Sequence, residues 1–357
     1  MLQAARKPRI SIKRAALQFL LALTPAALAV SLMLVTKTNA AVLSYIYNTA
    51  SRLSYAISQA ASVIPFAVAP WLAAVLLVWF VVGFVVAIAK TAALSDLRFL
   101  VRSIKNRVFT ASILYLAFVI LFGVSYNAPK LSVAAFASVR SSVITARRTT
   151  LSESCENWIR LANFLRPIVP SSEAGEVLNA VPTAFANTAG ISDTPYSPKP
   201  SGIDALLGGM MIEGIYVPFT GEALVNTSIP LIDLPFVACH EAAHSIGYAR
   251  EDEANLVSMI VCGSSQNPLF RYSGAMAAVR YSLARILRTD MFEYNRLVSL
   301  MSPAVSRDLG SRNAYWSAKR NSSAAVFANR VNDLFLSYAG MQENGAMSYE
   351  GVLDLTD

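Results

Sequence analysis

Histidine is almost absent from this chain, which has two in 357 residues, and cysteine is little commoner, with three. Cys155, Cys239 and Cys262 are too few and too scattered for a disulfide framework or a cysteine-rich metal site. They read as small buried hydrophobes, with one disulfide left open if this half of the chain faces an oxidising compartment. Charge is scarce too, at 15% of residues against 55% hydrophobic, which is greasier than ordinary soluble composition. Acid is missing from the first 150 residues, where Asp96 stands alone against sixteen Lys or Arg, while the remaining 207 residues hold twenty-one acids and fourteen bases. A net charge of +8 would normally raise nucleic acid as a partner. Here the positive charge sits beside hydrophobic runs, where membrane topology accounts for it, so nucleic acid is excluded. The chain also lacks internal repeats and low-complexity tracts.

What is present begins with three uncharged apolar runs, residues 15–35, 71–89 and 108–126. Each is long enough to cross a hydrocarbon core of about 30 Å. The first has a basic leader like a signal peptide, but its apolar region is too long and two more spans follow, so it reads as a retained anchor. The flanking loops differ in charge. Arg6, Lys7, Arg9, Lys13 and Arg14 precede the first run, and Lys90, Arg98, Arg102, Lys105 and Arg107 separate the second from the third. Only Lys37 and Arg52 separate the first from the second. The positive-inside rule puts the N-terminus and the 90–107 loop in the cytoplasm and everything after Tyr126 outside it.

The expected architecture is mainly α with a small β element. Residues 1–126 form a membrane anchor, 127–151 a juxtamembrane linker, and 152–357 an extracytoplasmic domain of soluble composition. "DTPYSPKPSG" at 193–202 must be loop. "IEGIYVPFTG" at 212–221 is a short β run, which Pro218 makes an edge strand. Helical signals follow at 254–261, 275–287 and 323–338.

Both histidines fall in "FVACHEAAHSIGYAREDEAN", residues 236–255. His240 and His244 stand about one turn apart on one helix face, so two imidazoles can share one Zn²⁺. Glu241 lies beside them, in the general-base place of an H-E-x-x-H hydrolase. Five residues of pattern also arise by chance on an amphipathic helix, but here no other histidine competes. A catalytic zinc needs a third protein ligand and one open position. Gly247 lets the chain leave the first helix, and a second can begin near Arg250. Glu251 and Glu253 stand about 200° apart on that helix, so only one can face the metal. Glu251 is preferred because Asn255 lies four residues on, over the same face, where its amide can hydrogen-bond a metal-bound histidine. Asp252 and Glu253 then read as solvated or salt-bridged. Mn²⁺ or Co²⁺ in place of zinc stays open.

The E-x-x-A-N segment resembles the E-x-x-[AS]-D segment of zincins that use glutamate as third ligand. Together with "FGVSYNAPKLS", "PYSPKP", "GIYVPFTGEALVN", "RYSG" and the terminal "VNDLFLSYAGMQENGAMSYEGVLDL", it makes the chain resemble an uncharacterised bacterial family. That family has three membrane helices followed by an extracytoplasmic zincin-like domain. The likeness runs from about residue 122 to the C-terminus, departing at "FGVSYN", where a tryptophan before the glycine is expected. It implies a metallopeptidase fold and supplies no substrate.

The function expected from these residues is a membrane-anchored zinc peptidase. It would cleave a peptide or protein at the outer face of the bacterial cytoplasmic membrane, with membrane lipid as its other partner. Zinc would lower the pKa of bound water toward ~7 and Glu241 would take the proton. The strand at 215–217 would hold an extended substrate. With both histidines committed, the oxyanion falls to Tyr248, Tyr272, Arg271 or Tyr281. A site within the bilayer fares poorly, because Pro230, Asp233 and Pro235 break the run before His240 and four charges occupy 250–253. The rival from another class is a non-catalytic zinc protein of the envelope, used for binding or assembly. A structural site normally fills its fourth place with Cys or His and has no use for Glu241.

Overall fold

A computed structural model describes residues 12–129, 150–191, 193–320, 322–326 and 330. Arg6, Lys7 and Arg9, most of the expected linker, most of the helix expected at 323–338 and the C-terminal motif lie outside the described residues. The described chain is mainly helical with one small sheet. It divides into two compact units, Met1–Ala50 with Ala69–Asn127, and Ser51–Val68 with Ala128–Asp357.

The first unit holds α1 (Ile12–Ala22), α2 (Thr24–Thr38), α4 (Ala69–Leu94), α5 (Arg98–Leu121) and the first part of α3 (Ala40–Ser62). Helices α4 and α5 are each long and apolar enough to cross a membrane. The pair α1–α2 adds a third if it counts as one span, bent by 43°. The bend falls at Leu23, where Pro25 in the first turn of α2 has no N–H to continue the preceding helix. On α4, Trp71, Val75, Leu77 and Val78 are all more than half exposed. A helix apolar on every side yet uncovered by protein suits lipid. Helix α5 begins earlier than the run expected at 108–126 and stops short of it, because a 3₁₀ turn, Gly123–Asn127, follows. Its first three turns therefore carry Arg98, Arg102, Lys105 and Arg107. Arg107 is buried against α4, donating to the Phe80 carbonyl at 2.7 and 3.2 Å, with its guanidinium over the Trp79, Phe80 and Phe84 rings. Charge so placed is satisfied by backbone and π-faces rather than by a carboxylate.

Residues 51–68 belong to the second unit. The rest of that unit comprises α6 (Leu151–Leu165), α7 (Ala174–Ala186), α8 (Asp204–Gly209), α9 (Leu234–Ser245), α10 (Glu251–Ser264), α11 (Pro268–Thr289), α12 (Met291–Ser299) and α13 (Pro303–Ser317). Its sheet has the order β1-β3-β2, with β1 (Lys199–Pro200) parallel and β2 (Gly214–Val217) antiparallel to the central β3 (Glu222–Val225). β2 is thus at an edge. Helix α9 lies at the centre, buried at every residue from Leu234 to His244. It therefore shows no amphipathic stripe. The Phe236 N–H in its first turn, which has no partner within the helix, donates to Ser273 Oγ on α11 at 3.1 Å. Ser258 on α10 donates to the Phe236 carbonyl at 2.8 Å. One residue of α9 is so bound to both neighbouring helices.

Residues 51–68 are held by the sheet. Ser58 donates to the Gly221 carbonyl at 2.8 Å. Gly221 has φ +63°, and a Cβ there would stand 2.4 Å from Ser58 Oγ, so only glycine fits the turn between β2 and β3. Glu222, its side chain 1% exposed, pairs with Lys199 at 2.7 Å and accepts from the Val68 N–H at 2.9 and 3.0 Å. Lys199 also donates to the Ala61 and Phe66 carbonyls. A buried ion pair with every remaining valence satisfied is the arrangement under which such a pair persists.

Candidate metal centre

Helix α9 ends at Ser245, and Gly247 turns the chain with φ +106°, a conformation other residues resist. Helix α10 starts at Glu251. This short reversal lays the first turn of α10 against the last turns of α9. His240 Nε2 stands 3.1 Å from His244 Nε2 and 3.1 Å from Glu251 Oε2, and His244 Nε2 is 3.8 Å from the same oxygen. Four ligands about 2.0–2.1 Å from a tetrahedral zinc stand about 3.3 Å apart, so a triangle of this size suits such an ion.

The other imidazole nitrogens are also engaged. His240 Nδ1 lies 2.9 Å from Asn255 Oδ1, and His244 Nδ1 lies 2.7 Å from the Tyr248 carbonyl. Both acceptors require N–H at Nδ1, which leaves each Nε2 lone pair facing the triangle. The Asn255 contact is the one expected from its place four residues after Glu251. Burial by itself would raise the Glu251 carboxyl, but the two imidazoles outweigh it and hold the group below the usual carboxylate range. Burial would lower His244, but hydrogen bonding and attraction to Glu251 lift it to about 9, so a proton on its Nε2 must leave before that lone pair can take a metal.

Glu241 is buried, and burial pushes its carboxyl up to about 7, against the opposing pull of His240 and His244. What covers it is the start of β2. A Cβ on Gly214 would lie 2.6 Å from Glu241 Cγ and 2.7 Å from its Oε1, so glycine at this strand position lets the carboxylate sit beneath the sheet edge. Sequence reading quoted this strand and did not single out Gly214. Its signal was there, a lone glycine opening a β run.

Glu253 turns away from the triangle and pairs with Arg250 at 2.8 Å. Of the residues considered for an oxyanion, Tyr272 is fully buried with its hydroxyl donated to Asp308 at 2.8 Å. Tyr281 reaches Asn255 Oδ1 at 3.4 Å, behind His240. Tyr248 contributes its carbonyl to His244. Among the described residues Arg271 makes no hydrogen bond or ion pair with His240, His244 or Glu251.

A charged chain that sequence reading missed anchors the strand. Glu213, just before Gly214, pairs with Arg312 of α13 at 2.6 Å. Arg312 Nε also lies 2.9 Å from Asp233 Oδ2, off line for a hydrogen bond, and Arg280 of α11 lies 3.7 Å from Asp233. Asp233 directly precedes α9. The chain so links the start of the strand to the start of the helix that carries Glu241. No local pattern marks a pair separated by about a hundred residues.

These features define a class, a mainly helical protein with two or three helices apolar enough to cross a membrane and a two-histidine, one-glutamate group that could hold a metal. The chain belongs to the family described as protein of unknown function (DUF3810), which it matches over residues 44–356. No curated protein and no solved structure matches it.

Proposed function

We propose that this chain is a membrane-anchored, zinc-dependent metallopeptidase with a zincin-like outer domain, hydrolysing peptide bonds at the outer face of the cytoplasmic membrane. The observation that carries the reading is the triangle of His240, His244 and Glu251 donor atoms with the Glu241 carboxylate beside it. A divalent ion held there supplies Lewis acidity for a carbonyl and acidifies water. The chain's own residues supply the rest. Asn255 and the Tyr248 carbonyl fix the imidazole tautomers and ring orientations. Glu241 accepts the proton of the attacking water and returns it to the leaving amine, a role suited to a carboxyl lifted toward neutrality by burial. The open edge of β2 offers backbone hydrogen bonds to an extended peptide, with Gly214 bringing that edge to Glu241.

Two observations weigh against a purely structural zinc. The group contains three ligands among the described residues, one short of a closed structural site. Cys239, the cysteine next to His240 in sequence, is fully buried.

Metal analysis of the purified full chain tests the reading at its base. Wild type is expected to carry about one equivalent of zinc, and His240→Ala close to none. A chelator should lower the thermal stability of wild type and leave that of His240→Ala unchanged, since a ligand stabilises only the state that binds it. Wild type without metal, or two proteins responding alike, would sink the proposal.

A further inference from the structure

A cavity of about 240 Å³ opens beside the edge strand, and the proposed chemistry leaves it unused. Glu213 forms one wall. Arg312, Asn313, Trp316 and Ser317 of α13, with Arg320 just beyond, form the other. Arg312 is already matched by Glu213 and Asp233. Arg320 is exposed and makes no ion pair with any described residue, so among them its charge is unmatched. Trp316, 6% exposed, packs into the same wall. The Asn313 amide and Ser317 hydroxyl add donors to the same wall. Among the described lining residues the one carboxylate is thus paired with Arg312, while Arg320, the Asn313 amide and the Ser317 hydroxyl remain for a ligand.

Its position gives this a use. Glu213 precedes Gly214, and Gly214 touches Glu241. A strand rises about 3.3 Å per residue, so a peptide laid along β2 with its reacting carbonyl near Glu241 has a side chain at this cavity within about two residues. We propose that the cavity is a carboxylate-accepting subsite that selects peptides bearing aspartate or glutamate next to, or two residues from, the bond that is cut. The proposal rests on the peptidase reading for its substrate, and on the cavity wall for its preference.

The test separates the two. Blocked octapeptides carrying glutamate at each position in turn, and the same set with glutamine, are titrated into the full-length Glu241→Gln protein in detergent, with binding read by fluorescence anisotropy. In one register the glutamate peptide should bind roughly ten- to a hundred-fold tighter, as expected for a hydrogen bond to a charged group. Arg320→Glu should abolish that difference and Arg320→Lys retain most of it. Arg320 is exposed, so neither change threatens folding. Equal binding of the glutamate and glutamine sets at every position, or a preference that survives Arg320→Glu, overturns the subsite. The same peptides are then incubated with wild type. Cleavage without acidic preference removes the subsite and leaves the peptidase. Acidic preference in binding with no peptide cleaved removes the peptidase and leaves the subsite.

Discussion

Glu251 and Glu253 are two positions apart on one helix, and their surroundings separate them. Glu251 lies 3.1 and 3.8 Å from the two Nε2 atoms, whereas Glu253 is bound to Arg250. Glu251→Gln should therefore cut zinc retention strongly, and Glu253→Gln should leave it nearly intact while removing an ion pair. A reversal of these two outcomes, read by metal content of the purified proteins, would put the wrong helix face at the metal. Glu241 carries a different expectation, because its carboxylate sits beside the triangle beneath Gly214. Glu241→Gln keeps size and shape but loses the basic oxygen. The variant should fold and bind zinc fully, with turnover lower by roughly 10²–10⁴. Outer-face proteins compared between cells with wild type, Glu241→Gln or no copy provide the assay; a product formed equally by the first two rules this residue out as the base. The residues of this cluster were legible because His240, Glu241, His244, Glu251 and Asn255 lie within sixteen positions, where helical periodicity alone predicts which side chains share a face. Gly214, Glu213 and Arg312 were not, since only the chain's return from distant segments brings them to the same place.

At the scale of elements, apolar length marked the helices at 69–94 and 98–121, but their ends were misplaced. Hydropathy registers where charge begins, and α5 continues through Arg98, Arg102, Lys105 and Arg107 because an arginine or lysine is a good helix former. Helix α3 went unnoticed for the opposite reason. It is neither long and apolar enough for a span nor part of a contiguous domain, and its latter half is fixed by partners about 140 to 160 residues away, among them Gly221 and Lys199. That attachment is testable. Lys199 neutralises Glu222, whose side chain is almost wholly buried, while Glu222 accepts from the Val68 N–H. Lys199→Met leaves a buried carboxylate without its cation, which costs about 3–5 kcal/mol. The double variant Lys199→Met with Glu222→Gln should recover much of the loss, because no unpaired charge remains. Denaturant unfolding of the detergent-solubilised chain measures both. A single variant within about 1 kcal/mol of wild type would show that an exposed-pair value applies and that the pair does not clamp residues 51–68.

For the whole molecule, the discontinuous second unit constrains topology through parity. Residues 51–68 precede α4, and residues 128–357 follow α5, yet both belong to one compact unit. If α4 and α5 both cross the bilayer, the chain goes over and back between them, and the two segments emerge on the same side. This holds whether or not the bent pair α1–α2 is a span, since that pair decides only where the N-terminus lies. Which side is a matter of charge. The stretch from the end of α4 through the first turns of α5 carries Lys90, Arg98, Arg102, Lys105 and Arg107, whereas the stretch from the end of α2 to α4 carries only Lys37 and Arg52. Basic short loops stay in the cytoplasm, so the second unit should be translocated. A reporter fused after Asp357 should be active only in the extracytoplasmic compartment. A cysteine at Val63, which is 82% exposed, should be labelled by a membrane-impermeant thiol reagent from the outside of intact cells. The native cysteines are buried and should stay silent. Labelling at 63 from one side with reporter activity on the other would break the parity and show that only one of α4 and α5 crosses. Both signals in the cytoplasm would keep the parity, invert the orientation, and deny the peptidase an outer-face substrate.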